Sequence, residues 1–145
     1  MSRVPGLDDD AGSAVVEFIG VALLLLVPVV YLVLVLGQLQ AAAFATEGAA
    51  RQAVRAVVTA GDEASGMERA AASVRIALED QGFTEDATTI TCSDGCLEPG
   101  ASATVTVAID VVLPGVPAWL HRAVPLAIGV EATATAQRDS YLGAG

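Results

Sequence analysis

The most apolar part of the chain is an unbroken stretch near the N-terminus, from Phe18 to Leu36. It carries no charge, and fifteen of its nineteen residues are Leu, Ile, Val or Phe. At 1.5 Å per residue, a helix of this length matches the roughly 30 Å hydrocarbon core of a bilayer. These side chains favour insertion by about −5 to −9 kcal/mol, which outweighs the penalty of roughly 3 kcal/mol for one buried charge. The pattern therefore predicts a membrane-spanning helix.

The helical pattern continues beyond the span as far as Gly61, which is predicted to end the helix. Apolar positions recur at helical spacing on one face, while Arg51 and Arg55 face elsewhere. Gly37 and Gly48 are candidate bends. The apolar face comprises Ala50, Val54, Val57 and Val58.

A second amphipathic helix is predicted from Gly66 to Gln81, with Gly82 as its C-cap. Its charged side chains lie opposite the apolar stripe, and Arg75 and Glu79 are one helical turn apart. We interpret these charges as a solvated face. The apolar stripe comprises Met67, Ala70, Ala71, Val74 and Leu78.

The hydrophobic period then changes from helical spacing to two, which is typical of half-buried strands. Three strands are predicted, at Thr88–Cys92, 104–111 and 124–135. A small antiparallel sheet with one apolar face needs a cover, which the amphipathic helices supply. The predicted fold class is α+β: a long N-terminal transmembrane helix that continues into an amphipathic helix, a second helix, and a three-stranded antiparallel sheet.

Charge and composition exclude several functional classes. The net charge is −10, all seven basic residues are Arg, and no basic run exists, so nucleic acid is not an expected partner. The sequence shows no nucleophile–base pair, glycine-rich phosphate loop or calcium-loop spacing of Asp. We predict that the protein is not an enzyme and has no cofactor.

Two cysteines, Cys92 and Cys96, lie close together in "CSDGC". With His121 they make three N/S candidates, fewer than the four ligands of a structural zinc site, and no metal site is expected. A disulfide is the simpler interpretation if this region lies outside the cytoplasm. It would close the connection between the first two strands, with Asp94 and Gly95 forming the turn, and would stabilise the domain by about 2 kcal/mol.

The stretch "GSAVVEF" places a carboxylate, Glu17, at the mouth of the apolar segment. One explanation is purely electrostatic, because an anion near a helix N-terminus is favoured by roughly 0.3–1 kcal/mol and a border carboxylate can reach water. The other explanation is that Glu17 belongs to a recognition element. A short polar leader ends in Gly12, Glu17 follows five residues later, Phe18 is next to it, and the apolar helix lies after the glycine.

This arrangement resembles the class III signal peptide of type IV pilins and pseudopilins, which a prepilin peptidase cuts after the glycine. The sequence "AGSAVVEFIGVALLLLVPVV" is most similar to TadE-like minor pilins of tight-adherence (type IVb) pilus assembly systems. The resemblance is close from Ala11 to Leu36, and elsewhere extends only to the general layout. The leader departs from the family pattern because it is acidic, with Asp8, Asp9 and Asp10.

The resemblance implies a leader peptide at 1–12, a transmembrane and assembly helix at 13–36, and an extracytoplasmic pilin-like domain at 37–145. Cleavage would fall between Gly12 and Ser13. Glu17, beside Phe18, would pair with the free α-amine of a neighbouring subunit, since a carboxylate in lipid needs a cation. Pro28 removes one backbone hydrogen bond and is predicted to kink the helix near Leu24.

The partners that the resemblance implies are prepilin peptidase, other pilin or pseudopilin subunits, the inner-membrane pilus assembly machinery and membrane lipid. The protein would be a single-pass membrane protein with a cytoplasmic N-terminus, available for incorporation into a surface pilus that serves cell adhesion. The distribution of basic residues does not define this orientation, because they lie on both sides of the span: Arg3 before it, and Arg51 and Arg55 after it.

Two alternatives remain at the level of sequence. In one, the protein is an uncleaved single-pass membrane protein whose outer domain binds a ligand, and Glu17 is a border residue. In the other, Ala43-Phe44-Ala45 is a secretory cleavage site and a soluble domain is released after Ala45. The long apolar run, beyond the usual 7–15 residues, and the acidic N-terminus are atypical of a secretory signal.

Overall fold

The computed structural model of the protein describes residues 9–84, 87–93, 95–115 and 127–140. It is an α+β fold with two helices followed by a three-stranded antiparallel sheet, as the sequence predicts. The chain divides into two compact units, residues 1–36 and residues 37–145. The elements are α1 (Asp9–Val58), α2 (Glu63–Glu79), β1 (Ala87–Cys92), β2 (Ser102–Val112) and β3 (Ala127–Gln137).

Helix α1 is unbroken from its first residue to its last. The candidate bends at Gly37 and Gly48 do not interrupt it, and neither glycine has a neighbour within 4 Å of the position a Cβ would occupy. The helix ends at Val58, three residues before the predicted stop at Gly61. The physical reason is a side-chain cap that sequence inspection did not find: Arg138 donates hydrogen bonds to the carbonyl oxygens of Val58 and Ala60, at 3.1 and 2.9 Å.

Helix α2 begins earlier than the predicted Gly66, at Glu63, because Asp62 caps it. The backbone N–H of Ser65 donates to the Asp62 carboxylate at 2.9 Å, and the Ser65 hydroxyl donates to the same group at 2.7 Å. This cap satisfies a helical N–H that otherwise has no partner. Gly66 then lies buried against α1, where an added Cβ would approach the Cβ of Ala60 to 3.0 Å.

The C-terminal end of α2 forms a Schellman motif at the predicted C-cap, Gly82. Gly82 has a φ of +77° and donates its N–H to the carbonyl of Glu79, while Phe83 donates to the carbonyl of Leu78. The helical charges lie outside the core, and Arg75 pairs with Glu79 at 3.2 Å as the spacing predicts.

The core of the second unit is made of small side chains that lie between the helices and the sheet. Leu78 and Ile109 are the largest fully buried side chains, and alanine and valine make up most of the rest. Period two in the sequence correctly predicts the buried face of β2. The core residues are Ala42, Ala45, Ala49, Ala50, Ala53, Val54, Val57 and Val58 from α1, Ala70, Val74 and Leu78 from α2, Ala103, Val105, Val107, Ile109 and Val111 from β2, and Cys96.

The sheet has the order β1-β2-β3, with both pairs antiparallel. The outer face is polar, and two threonine pairs form hydroxyl hydrogen bonds of 2.9 Å between β2 and β3, Thr104 with Thr135 and Thr106 with Thr133. The third strand was expected from Val124. The structure describes it from Ala127 onwards, so the first part of that prediction lies outside the described residues, as do residues 1–8 of the predicted leader.

The Asp62 cap predicts a defined pH dependence of stability. Hydrogen bonds from the backbone N–H and hydroxyl of Ser65 hold the pKa of the Asp62 carboxyl below its ordinary value of 3.8. A depressed folded-state pKa stabilises the protein above the unfolded pKa, and this stabilisation disappears as the pH falls through the folded pKa. The stability difference between wild type and Asp62→Ala should therefore be constant from pH 7 to about pH 5 and shrink towards pH 2.

Amide hydrogen exchange in α2, measured across this pH series, checks the prediction. Asp62→Asn is the matched control, because asparagine also caps helices but does not titrate. Its stability relative to Asp62→Ala should not change with pH. A wild-type advantage over Asp62→Ala that persists undiminished at pH 2 would contradict the assigned hydrogen bonds.

Candidate functional site

The predicted processing and assembly residues lie in the N-terminal unit, on a helix with no protein cover. Every side chain from Ser13 to Leu34 is exposed, and Phe18 is 74% exposed. The described chain has one helix long and apolar enough to cross a membrane, and none of its most apolar 18-residue window, with a mean hydropathy of 3.0, is buried. Such a surface is unfavourable in water, so a bilayer or other apolar partner is its natural environment.

The predicted scissile bond, between Gly12 and Ser13, lies inside the first turns of α1, which begins at Asp9. Helix ends open more easily than helix interiors, and glycine weakens a helix by about 1 kcal/mol relative to alanine. Gly12 therefore weakens the helix at the predicted cleavage site. The position of the bond is compatible with cleavage, and cleavage itself stays a prediction.

Glu17 lies four residues after Ser13, so both project from the same side of the helix. The Glu17 side chain is exposed and takes part in neither of the two ion pairs among the described residues, Arg51–Glu47 and Arg75–Glu79. Between Arg3 and Arg51 the sequence has no basic residue. A cation for Glu17 at membrane depth must therefore come from a new N-terminal amine or from another molecule.

Pro28 lies near the middle of the apolar segment, and α1 continues through it. Proline has no N–H, so the carbonyl of Leu24 lacks its usual donor. Membrane helices tolerate this loss because neighbouring groups can satisfy the carbonyl. The kink stays a prediction.

The Cys92–Cys96 disulfide is present, which confirms the pairing expected from "CSDGC". Cys92 is the last residue of β1, and Cys96 is 3% exposed in the connection to β2. Gly95, with a φ of +84°, supplies the tight turn between them. The base of the same connection is closed by Ser93, whose N–H donates to the carbonyl of Ser102 at 2.9 Å.

Removing this disulfide is expected to destabilise the second unit by about 2 kcal/mol, because the cross-link limits the unfolded chain. The measurement is the opening free energy of β1 and β2 amides by hydrogen exchange, in Cys92→Ser/Cys96→Ser against wild type. Wild type treated with dithiothreitol is the control and should match the double variant. If the β1 and β2 amides of the double variant are protected as in wild type, the sheet is stable without the disulfide.

No group of three or more His, Cys, Asp and Glu side chains that could hold a metal occurs among the described residues. His121 lies outside them. Open grooves with volumes of about 380, 360 and 220 Å³ lie among the described residues of the second unit.

Sequence inspection missed Arg138, whose cap on α1 joins residues 80 positions apart, and Thr46, a fully buried polar residue on α1. The Thr46 hydroxyl donates to the carbonyl of Ala42 at 2.9 Å. The sequence did contain a signal for the burial of Thr46, because this threonine lies at a position that matches the apolar face of the helix.

Comparison with known proteins gives no family assignment. The chain matches no protein-family model, no curated protein and no solved structure. What can be said of its relationships therefore rests on the N-terminal sequence pattern and on the fold described above.

Proposed function

We propose that this chain is a TadE-like minor pilin, or pseudopilin, of a tight-adherence (type IVb) pilus assembly system. Prepilin peptidase would cleave it after Gly12, and the exposed apolar helix would anchor it in the membrane before packing against other subunits. The observation that carries the proposal is the position of Glu17: an exposed carboxylate, without a cation in the described residues, at the start of an uncovered apolar helix five residues after a glycine.

The proposed chemistry of assembly follows from that position. Cleavage would create an α-amine at Ser13, which carries a positive charge and lies at the same end of the helix as Glu17. A second subunit brought alongside would offer its Ser13 amine to this carboxylate, which would remove an unpaired charge from lipid. Inner-membrane pilus assembly proteins and membrane lipid would be the remaining partners.

The disulfide supports an extracytoplasmic location for the second unit. Disulfides persist in oxidising compartments and are rare in the cytosol. The Cys92–Cys96 bridge lies in the second unit, and the single candidate span in the described residues precedes the bridge in the chain. A cytoplasmic N-terminus and an external C-terminal domain satisfy both observations.

The burial of Thr46 argues against the secretory alternative. Cleavage after Ala45 would make Thr46 the first residue and would place a charged α-amine at a position with no solvent exposure. It would also remove Ala42 and Ala45 from the core, together with the carbonyl that accepts the Thr46 hydrogen bond. Burying an unpaired charge is costly enough that the α+β unit is not expected to form from such a product.

The uncleaved membrane protein with a ligand-binding outer domain is the remaining alternative. In this alternative the protein has the same membrane span and the same α+β unit, but Glu17 has no partner. The two proposals differ in the mature N-terminus, which is Ser13 for the pilin and Met1 or Ser2 for the uncleaved protein.

The test is mass analysis of the N-terminal peptide of the membrane-bound protein from cells that have a prepilin peptidase. We expect a start at Ser13 in wild type, and an intact N-terminus with more than ~90% loss of the cleaved form in Gly12→Leu, because the larger side chain blocks the small-residue site. Gly6→Leu is the matched control, a glycine substitution in the same leader, and should be cleaved as wild type.

A wild-type start at Met1 or Ser2 would overturn the proposal and leave a membrane-anchored domain. Glu17→Gln separates processing from assembly. It should be cleaved but should no longer be cross-linked to other pilin subunits in the membrane, whereas cross-linking equal to wild type would make Glu17 a border residue.

A further inference from the structure

Among the described residues β3 is an edge strand of the sheet, and a groove lies between it and helix α1. The groove has a volume of about 360 Å³. Its floor is the buried Val54, and β3 forms one wall. The lining residues are Arg51, Gln52, Val54 and Arg55 of α1 and Ala134, Thr135 and Ala136 of β3.

The helices cover the middle of the sheet completely but leave β3 partly open. On β2 the side chains facing the helices are buried, and those of Val105 and Val107 have no exposure at all. On β3 the side chains on the same face, including Ala134 and Ala136, are only half-buried. The described residues therefore cover this face of β3 only in part.

The backbone of β3 presents hydrogen-bonding groups to this groove. The N–H of Arg138 donates to the carbonyl of Ala101, and the register pairs the preceding residues, Gln137 with Ser102. In an antiparallel pair such hydrogen-bonded positions alternate, so the even-numbered residues of β3 bond to β2 and the odd-numbered residues face the free edge. The outward N–H groups are those of Gly129, Glu131, Thr133, Thr135 and Gln137.

Within the part of the chain that the structure describes, Glu131 is the one charged residue of β3, and the strand has few of the features that usually prevent pairing at an edge. Natural edge strands are shortened, bulged, or carry lysine or proline. β3 has eleven residues in continuous one-to-one register with β2, and it contains no proline and no lysine. A long unprotected edge invites strand addition from another chain.

The charges in the groove define the chemistry of the added strand. Arg51 and Arg55 are one helical turn apart, and like charges at this spacing destabilise a helix. Glu47 pairs with Arg51, but Arg55 forms no ion pair within the described part of the chain. Arg55 is therefore an exposed guanidinium group at the groove that can accept a carboxylate partner.

We infer that the β3–α1 groove binds an extended acidic segment of another protein by strand addition to β3. The segment would pair its backbone with the outward groups of Thr133, Thr135 and Gln137. Its carboxylates, at alternate positions, would face Arg51 and Arg55. The inference does not depend on the proposed pilin function, because it uses only contacts within the second unit.

The test uses the full chain in phosphatidylcholine nanodiscs and a fluorescein-labelled peptide in which Glu alternates with Val and Thr. We expect saturable binding by fluorescence anisotropy, and about tenfold weaker binding for Arg55→Gln and for a peptide with Gln in place of Glu, because charge-assisted hydrogen bonds are lost. Arg75→Gln is the control, since Arg75 is on α2, outside the groove.

Strand addition is tested separately from charge by Thr135→Pro, which removes an outward N–H and the hydroxyl that bonds to Thr104 but leaves the backbone hydrogen bonds to β2 in place. Thr135→Val is its matched control, because it loses the same hydroxyl but keeps the N–H. We expect Thr135→Pro to abolish binding and Thr135→Val to retain it. Bound peptide should also slow hydrogen exchange at Thr133 and Gln137 at least fivefold, a form of protection expected of hydrogen-bonded backbone.

The inference is overturned if the Glu peptide does not bind wild type, or if the Gln peptide binds equally well. If Thr135→Pro does not fold, the Arg55→Gln variant and the Gln peptide still test whether binding depends on charge. Hydrogen exchange at Thr133 in wild type then tests whether the peptide adds to β3 as a strand. If wild type instead self-associates, with Thr135→Val retaining this association and Thr135→Pro losing it, a second copy of the chain is the occupant. That result would overturn the assignment to a different protein.

Discussion

Leu78→Ala is expected to lower the free energy of unfolding of the second unit by about 3 kcal/mol. Leu78 is fully buried and is the largest side chain in a core made mostly of alanine and valine. The surrounding residues are short, so they cannot move far enough to fill the space that the leucine leaves. The loss would be a large part of the roughly 5–15 kcal/mol that stabilises a typical domain.

Hydrogen exchange of the slowest β2 amides in the nanodisc-embedded chain measures this change. Ile76→Ala is the matched control: it is on the same helix and loses an aliphatic side chain that is 51% exposed, and should cost less than about 1 kcal/mol. Equal effects for the two variants would contradict the core assignment.

The parts of the fold that sequence predicts correctly are those fixed by local periodicity. Val105, Val107 and Ile109 alternate with polar residues, and this period of two places them on the face that the helices cover. Val74 and Leu78, four residues apart, likewise share the buried face of α2. In each case the burial of a side chain depends on its neighbours within a few residues, which the sequence displays directly.

The features that sequence does not predict depend on residues distant in the chain or on short polar contacts. The end of α1 is capped by Arg138, whose position relative to Val58 depends on the whole sheet. The start of α2 depends on whether Asp62 or a later residue is the cap, and several polar residues compete for this role. The pairing proposed for Glu17 is also not predictable from neighbouring residues, because the sequence has no basic residue between Arg3 and Arg51.

Three aspartates in the apolar segment are expected to abolish membrane integration. Leu24, Val27 and Val30 lie in its middle and are all exposed in the structure. At roughly 2.5–3.5 kcal/mol each, Leu24→Asp/Val27→Asp/Val30→Asp costs on the order of 8–10 kcal/mol and also removes three favourable side chains. This exceeds the favourable sum of about −5 to −9 kcal/mol for the wild-type segment, whereas one aspartate does not.

Resistance to alkaline carbonate extraction from cell membranes measures integration. Wild type and Val27→Asp should remain in the membrane pellet, while the triple aspartate variant should be extracted. The triple alanine variant at the same positions is the control for altered packing and should remain in the pellet, since alanine is nearly neutral in a membrane helix. Retention of the triple aspartate variant would mean that residues 18–36 are not the anchor. In that case Glu17 would not lie at a membrane border beside Phe18, and the role proposed for it would be wrong.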